Sequence, residues 1–531
     1  MKHLLKVVFA FVFALLLLGG CNGSSGKNGK HLSIPEGRIT YPVDTDVTLT
    51  YWMSLANNVA PNFAQMGDTP YAKAMAEKTG VNVRFLHPPS GGINEQFNLL
   101  VASGDMPDIM ERNWLELYPG GPQKAIDDGV ILRLNDIIEK HCPNLKALLA
   151  ANPEWDRMVK TDKGDYYAFP MIREREIMCV WQGPMLRKDW LDELGLAMPE
   201  TYDEWYTVLS AFKNQKGATA PLSMIPGNYD FLFGYGADSA FFIGDNGNVR
   251  WGGIEDSFRK YLTMMNKWYR DGIFDPDFAT LTMQVVTAKI TRGLAGASCG
   301  GVGGQMGTWN GIARASNPDY ALIAAPYPVE KKGDKSKIIN VDNMYTGAFS
   351  AAITTSCKNP VLAARMLDWN YSEEGNLFSN FGIEGVSYTV IDGGPVYTDL
   401  IMQNPNGWSV GQAIAAYSRA SYGGPFVQNY AYHEQYLTLP EQQEAIRTWL
   451  IDDLFERKLP PVTVMPEESG VFARIMGEIN PYAEEMQVKF ILGTESLNDA
   501  SWNAYVNNIK KMGIDRAVAI QSAALARYKS R

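Results

Sequence analysis

The sequence predicts an α/β protein of two domains with a helical C-terminus. Three observations carry that reading. Strand-like runs and helical stripes alternate along the chain, the pattern of layered α/β architectures. Roughly 490 residues follow a polar leader, more than one hydrophobic core usually holds. Two helical stripes then follow one another at the C-terminus.

The elements justify this in order. TLTYWM (48–53) alternates and is rich in strand formers. Thr69 is a helix cap followed by Pro70 at the first helical position, and Gly80 is the stop. VNVRFL (81–86) alternates again, so strand, helix and strand predict a parallel pair with a right-handed crossover. Ile93, Phe97, Leu100 and Val101 mark a second helix, which leads through SGDMPDIM to a short strand at Asp108–Met110. Thr201 and Glu204 form a capping box, with Trp205, Val208, Leu209 and Phe212 on one helical face. Asn246-Gly247 is a two-residue hairpin signature. A helix is expected over Phe258–Arg270, a glycine-rich zone over Gly293–Gly307, a strand in GAFSAAIT (347–354) and a helix from Pro360 to about Tyr371. Trp502, Tyr505, Val506, Ile509 and Met512 form the first C-terminal stripe, and residues 515–528 carry the second.

The N-terminus reads differently. Lys2 and Lys6 precede an unbroken apolar run from Val7 to Leu18, long enough for a signal-peptide core and short for a membrane span. Leu18-Gly19-Gly20-Cys21 resembles the lipobox of bacterial lipoproteins, which implies a diacylated Cys21 as the first mature residue. Residues Asn22–Arg38 are rich in Gly and Ser and read as a tether.

Composition narrows the function. Net charge is −10, and loss of residues 1–20 takes it to −12, which disfavours nucleic acid and anionic lipid as partners. Cys142, Cys179, Cys299 and Cys357 form no CxxC and read as buried free thiols. GASCG (296–300) matches G-x-S-x-G, but only His433 lies downstream and GVGGQMG is a poor helix, so a tight glycine loop is the better reading. There is no phosphate-binding GxxxxGK[ST], no zinc spacing among the histidines, and no glutamate at the twelfth position after Asp245 to complete a calcium loop. No cofactor or metal is therefore expected. A glycosidase stays open, because 58 acids offer many pairs that spacing cannot test.

Several segments together resemble extracellular solute-binding proteins of ABC transporter family 1, in particular the oligosaccharide-binding lipoproteins of Gram-positive bacteria. They are FNLLVASGDMPDIM (97–110), YYAFP (166–170), LRKDWLDELGLAMPETYDEWYTVLSAFK (186–213), SAAITTSCKNPVLAARMLDW (350–369), FGIEGVSYTV (381–390) and WNAYVNNIKKMGIDRAVAIQSAALARY (502–528). The resemblance implies a two-lobed, periplasmic-binding-protein-like flytrap with hinge strands. Its expected division is a signal peptide over 1–20, a lipidated tether over 21–44, lobe 1 over 45–172 and 345–400, and lobe 2 over 173–344 and 401–531. YYAFP resembles the first hinge crossing. Some alginate-binding relatives carry an acidic calcium loop where this chain reads KNQKGATAP (213–221), so no calcium is expected there.

Candidate ligand residues lie just after strands and in family-like segments. They are Trp52, Asn57 and Asn58 after the first strand, Asn113 and Trp114 after PDIM, and Arg173 and Glu174 past the hinge motif. Trp181, Tyr235, Gln305 and Trp309 come from the second lobe, with Trp309 the first choice for a stacking platform. Trp408, Tyr417 and Arg419 precede the glycine loop SYGGPF. Each has a structural alternative: core tryptophan, solvated turn or ion-paired face. The expected function is a monomeric, non-catalytic surface lipoprotein on the outer face of the cytoplasmic membrane, which hands an oligosaccharide to an ABC permease. A surface glycosidase and an adhesion or sensing lipoprotein are the alternatives.

Overall fold

The computed structural model describes residues 36–531, apart from 90, 227–230, 232, 233, 237 and 340. The apolar run and Cys21 fall outside the described residues. The strands are β1 (Thr48–Trp52), β2 (Asn82–Leu86), β3 (Ile109–Glu111), β4 (Ile172–Arg173), β5 (Gln182–Arg187), β6 (Phe241–Ile243), β7 (Val249–Trp251), β8 (Ala297–Gly301), β9 (Leu322–Ala324), β10 (Ala351–Ile353), β11 (Tyr388–Ile391), β12 (Gly394–Tyr397) and β13 (Val427–Gln428).

Two sheets form the centres of two lobes. In the first, the order is β10-β3-β1-β2, with β1 parallel to both β2 and β3 and β10 antiparallel to β3. In the second, β5 lies between β8 and β9 and is antiparallel to both. Local signals set the helices. Thr69 accepts a hydrogen bond from Ala72 N at 3.1 Å, Pro70 opens the helix Pro70–Thr79, and Gly80 closes it at φ +74°. A Cβ at Gly80 would also lie 2.1 Å from Val43 O, so only glycine fits there. The helix Tyr202–Lys216 carries the expected capping box, Thr201 Oγ1 accepting from Glu204 N and Glu204 Oε2 from Thr201 N. Trp205, Leu209 and Phe212 drive its buried face into the second lobe's core.

Four details depart from the sequence expectations. The 241–251 hairpin turns through three residues, since Gly244 N bonds Asn248 O at 2.9 Å and Gly247 takes φ +77°. GVGGQMG is not a broken helix: residues Val302–Met306 form a π turn that runs into the helix Gly307–Arg314. The chain is already held on the first lobe from Gly37, through Gly37 N to Lys140 O, Tyr41 Oη to Arg365 O and Val43 N to Thr79 O, so it is not free up to residue 44. Residues 401–420 pack with the first lobe, because Ile401 and Ile414 share a cluster with Phe381 and Tyr397, and the helix Val410–Tyr417 meets Pro70–Thr79.

Three chain segments cross between the lobes side by side. Phe169 and Ala351 exchange N–H···O bonds of 2.8 and 3.0 Å, and Arg173 N donates to Met344 O at 2.8 Å. On the other edge β4 pairs in parallel with β13, Ile172 N reaching Phe426 O and Glu174 N reaching Gln428 O, both at 3.1 Å. Tyr167 and Tyr345 share a 2.5 Å hydroxyl contact beneath these crossings. YYAFP enters this ladder through Phe169. Behind it the helix Pro466–Leu492 packs against Asp256–Arg270, and Ile514–Ser530 packs on Pro466–Leu492.

Candidate functional site

The helix Tyr430–Tyr436, capped by the Asn429 side chain, follows β13 directly and gathers groups from both lobes. Tyr436 is its centre. Its ring lies over two glycines: a Cβ at Gly303 would be 2.5 Å from Tyr436 Cε1, and one at Gly411 would be 3.5 Å from Cε2. Asn58 approaches the same Gly411 and donates from Nδ2 to Ser421 O at 3.3 Å. On the second lobe, Trp181 covers Gly301, where an added Cβ would be 3.2 Å from the indole. Trp181 is 43% exposed, unusual for a tryptophan beside a core. Gln305 Oε1 accepts the Gly301 N–H at 2.8 Å, leaving its Nε2 amide without a partner among the described residues. The π turn is what widens the backbone here, and such turns recur at functional sites.

Arg173 and Glu174 are both engaged in this region. Arg173 Nη2 lies 2.7 Å from Asp342 Oδ2, linking two hinge crossings, and Arg173 Nη1 donates to Asn343 O. Glu174 Oε2 accepts the Tyr430 N–H at 2.6 Å, and the Arg175 guanidinium lies 4.3 Å from the Tyr430 ring centre. His433 stacks near Tyr430, and burial, with Arg173 adding to it, lowers its pKa to about 4. Beyond the 342–348 crossing a cavity of about 760 Å³ is lined by Asn113, Glu116, Asp342, Asn343, Thr346, Lys458 and Gln521, with Pro461, Phe472 and Met476 as apolar wall. Gln521 Oε1 and Thr346 Oγ1 are buried there without a hydrogen-bond partner. Burial lowers the Lys458 pKa, against the pull of Asp342, Glu116 and Asp238.

Of the sequence candidates, Asn58, Arg173, Glu174, Trp181 and Gln305 come together around this helix. Asn113 lines the adjoining cavity, its amide donating to Glu116 Oε2 at 2.9 Å. Asn57 is exposed. Trp52, Trp114, Trp309 and Arg419 are corrected by burial. Trp52 is 1% exposed, with its indole N–H on Gln96 Oε1. Trp114 is wholly buried against Phe97 and donates to Met110 O. Trp309, the expected stacking platform, sits in the second lobe's core and donates to Thr287 Oγ1, so neither ring face is open. Arg419 is consumed by a buried ion pair with Glu111 at 2.8 Å, which Tyr51 Oη also joins. Tyr235 stacks on Tyr202 at 4.5 Å in the wall of a separate second-lobe groove. Trp408 meets Phe63 edge-on, and Tyr417 packs on the Phe381 cluster; both are half-buried.

Sequence reasoning missed Tyr430, His433 and Tyr436, which recur every third residue in NYAYHEQY and face the lobes together. That spacing was the available signal. Ser298 is buried within β8, opposite Met185, with Oγ on Cys299 O, and is no nucleophile elbow. All four described cysteines are buried and outside any disulfide, and burial pushes Cys179 and Cys357 up to about 12. Among the described residues no His, Cys, Asp and Glu cluster could hold a metal ion, and no helix is long and apolar enough to cross a membrane.

A hinge of three crossings with polar and aromatic groups converging from both sides invites comparison with known binding proteins. Residues 60–377 match the bacterial extracellular solute-binding protein family. The chain belongs to that family. Over 572 aligned residues it is 23% identical to the fructooligosaccharide ABC transporter substrate-binding protein of Streptococcus pneumoniae serotype 4, covering 100% of this chain and 99% of that one. It is 25% identical to lipoprotein LipO of Bacillus subtilis over 419 residues, 75% of this chain and 76% of that one. The crystal structure of the alginate-binding protein AlgQ2 without calcium ion superposes with a TM-score of 0.76 at 25% identity, covering 92% of this chain and all of that one. The two-lobed fold of solute-binding proteins is thereby established for this family member.

Proposed function

We propose that this chain is a non-catalytic receptor that captures an oligosaccharide outside the membrane and delivers it to an ABC permease. One observation carries the reading. Asn58 from the first lobe and Trp181 and Gln305 from the second converge on Tyr436 beside the hinge, presenting amides and ring faces that are only partly buried. Sugar hydroxyls require planar polar partners and pyranose or furanose faces require aromatic ones. The similar proteins named for fructooligosaccharide and alginate support the same class of cargo. Two acids beside the site are occupied, Glu174 by a backbone N–H and Asp342 by Arg173, which favours binding over hydrolysis.

The anchor belongs to the same proposal. Cys21 is acylated, the membrane is met through that anchor alone, and the protein acts as a monomer on the outer face of the cytoplasmic membrane. LipO, a similar chain, is named a lipoprotein. Fatty-acid labelling that disappears in Cys21→Ser checks the anchor, and light scattering of the detergent-solubilised chain checks the monomer. Calorimetry against an oligosaccharide panel, with reducing ends assayed afterwards, checks the rest. A receptor binds one to one and returns its cargo intact; new reducing ends would establish a glycosidase instead.

A further inference from the structure

The charge around the site limits what it can hold. Arg173 is matched by Asp342 at 2.7 Å. Lys458, at the edge of the adjoining cavity, faces Asp342, Glu116 and Asp238. Arg175 lies over the Tyr430 ring, and Glu434 acts on the same tyrosine. His433 is neutral at pH 7 because its burial resists a charge. Acids thus outnumber cations here, on a chain whose net charge is −10. Glu174 adds one more carboxylate, satisfied by a backbone N–H.

A bound carboxylate needs a cation or several aimed N–H donors to replace its water. Arg173 already has its acid in Asp342, and Lys458 and Arg175, in no ion pair of their own among the described residues, sit where carboxylates outnumber cations. The groups presented around Tyr436 itself are neutral: the Gln305 amide, the Asn58 carbonyl oxygen, the exposed Trp181 face and the Tyr436 hydroxyl. Hydroxyl groups pair with such partners without any charge to answer. We propose that the cargo is an uncharged oligosaccharide and that uronate-bearing chains are turned away by charge. This rests on the carbohydrate reading above.

The test is calorimetry on the full chain in detergent with tetramers of two kinds. Neutral probes are fructo-, manno-, xylo- and galacto-oligosaccharides; acidic probes are oligoalginate and oligogalacturonate. The expected result is a neutral ligand bound at least about 100-fold more tightly than either uronate. Its Kd should change less than about twofold between 0.05 and 0.5 M NaCl, since no ion pair forms across the site. A uronate as the tightest ligand overturns this inference and leaves the receptor reading standing. Silence from every probe overturns the carbohydrate reading and this one with it. A variant sharpens the mechanism. Asp342→Asn releases Arg173, and the gap between neutral and acidic probes should narrow at least about tenfold; an unchanged gap shows that paired charge is not what excludes uronates.

Discussion

The surroundings of β3 and those of the helix Tyr430–Tyr436 use the same residue types and finish them in opposite ways. At β3, Trp114 is wholly buried and its N–H is bonded to Met110 O, while Arg419 and Glu111 close a buried pair that Tyr51 completes. At the helix, Trp181 keeps 43% of its surface open, Gln305 spends only one end of its amide, and Arg173 meets an acid that is 40% exposed. The first arrangement holds one conformation. The second leaves groups for something else to satisfy. An aromatic count alone therefore says little about a cleft; what separates the two uses is whether each ring and each polar atom already has its partner.

Breaking the buried side of that comparison should give the largest effects. Glu111→Gln strands Arg419 without its counter-charge and is expected to destabilise the chain by about 3–5 kcal/mol in urea unfolding. Trp309→Ala empties a core site and should cost about 3–5 kcal/mol as well. Its open counterpart, Trp181→Ala, should shift stability by less than about 1 kcal/mol and weaken ligand by about 1–2 kcal/mol, roughly 5- to 30-fold in Kd. A Trp181 variant that unfolds easily while binding normally would erase the distinction drawn here.

A pH series sharpens it further. His433 has a folded pKa of about 4 against an ordinary value near 6.5, so between those values the unfolded chain takes up a proton that the folded one refuses. Stability is thus lost as pH falls from about 6.5 to 4. Asp238 and Asp368, raised by burial to about 6, act in the opposite sense, because the folded state holds their protons over roughly the same range. The clean readout is a difference: wild type should lose roughly 3 kcal/mol relative to His433→Gln between pH 7 and 4. A flat difference curve would mean that the imidazole is solvated. The smallest effect is expected from Gly303→Ala, whose methyl displaces the Tyr436 ring and should weaken ligand only a few-fold with stability nearly unchanged, read by calorimetry and urea unfolding.

Legibility in the sequence follows the range of the forces involved. The β-α-β start could be read down to its cap and its stop, because Thr69, Pro70 and Gly80 act within one helical turn. The capping box at Thr201 was equally local. The helix Pro466–Leu492 was not seen, since Gly470, Gly477 and Pro481 interrupt its pattern while packing on Asp256–Arg270 sustains it. The partnership of Glu111 with Arg419 joins residues 308 apart, and no spacing rule reaches that far. Of the site, Asn58 and Gln305 follow from position after strands, while Trp181 reads only as a second-lobe candidate that could equally be core. Trp52, Trp114 and Trp309 satisfy the same rule and are core, because burial depends on neighbours that the strand rule does not contain.

The order of the strands has a consequence for how the molecule comes into being. The sheet of the first lobe is completed by β10, which the ribosome delivers only after every strand of the second lobe's sheet has been made. β13, which flanks the hinge, comes later still. The lobe that begins first therefore waits, its β3 edge unpaired, while β5, β8 and β9 can already join. Any partner that guards the emerging chain has that bare edge to cover until Ala351–Ile353 arrives.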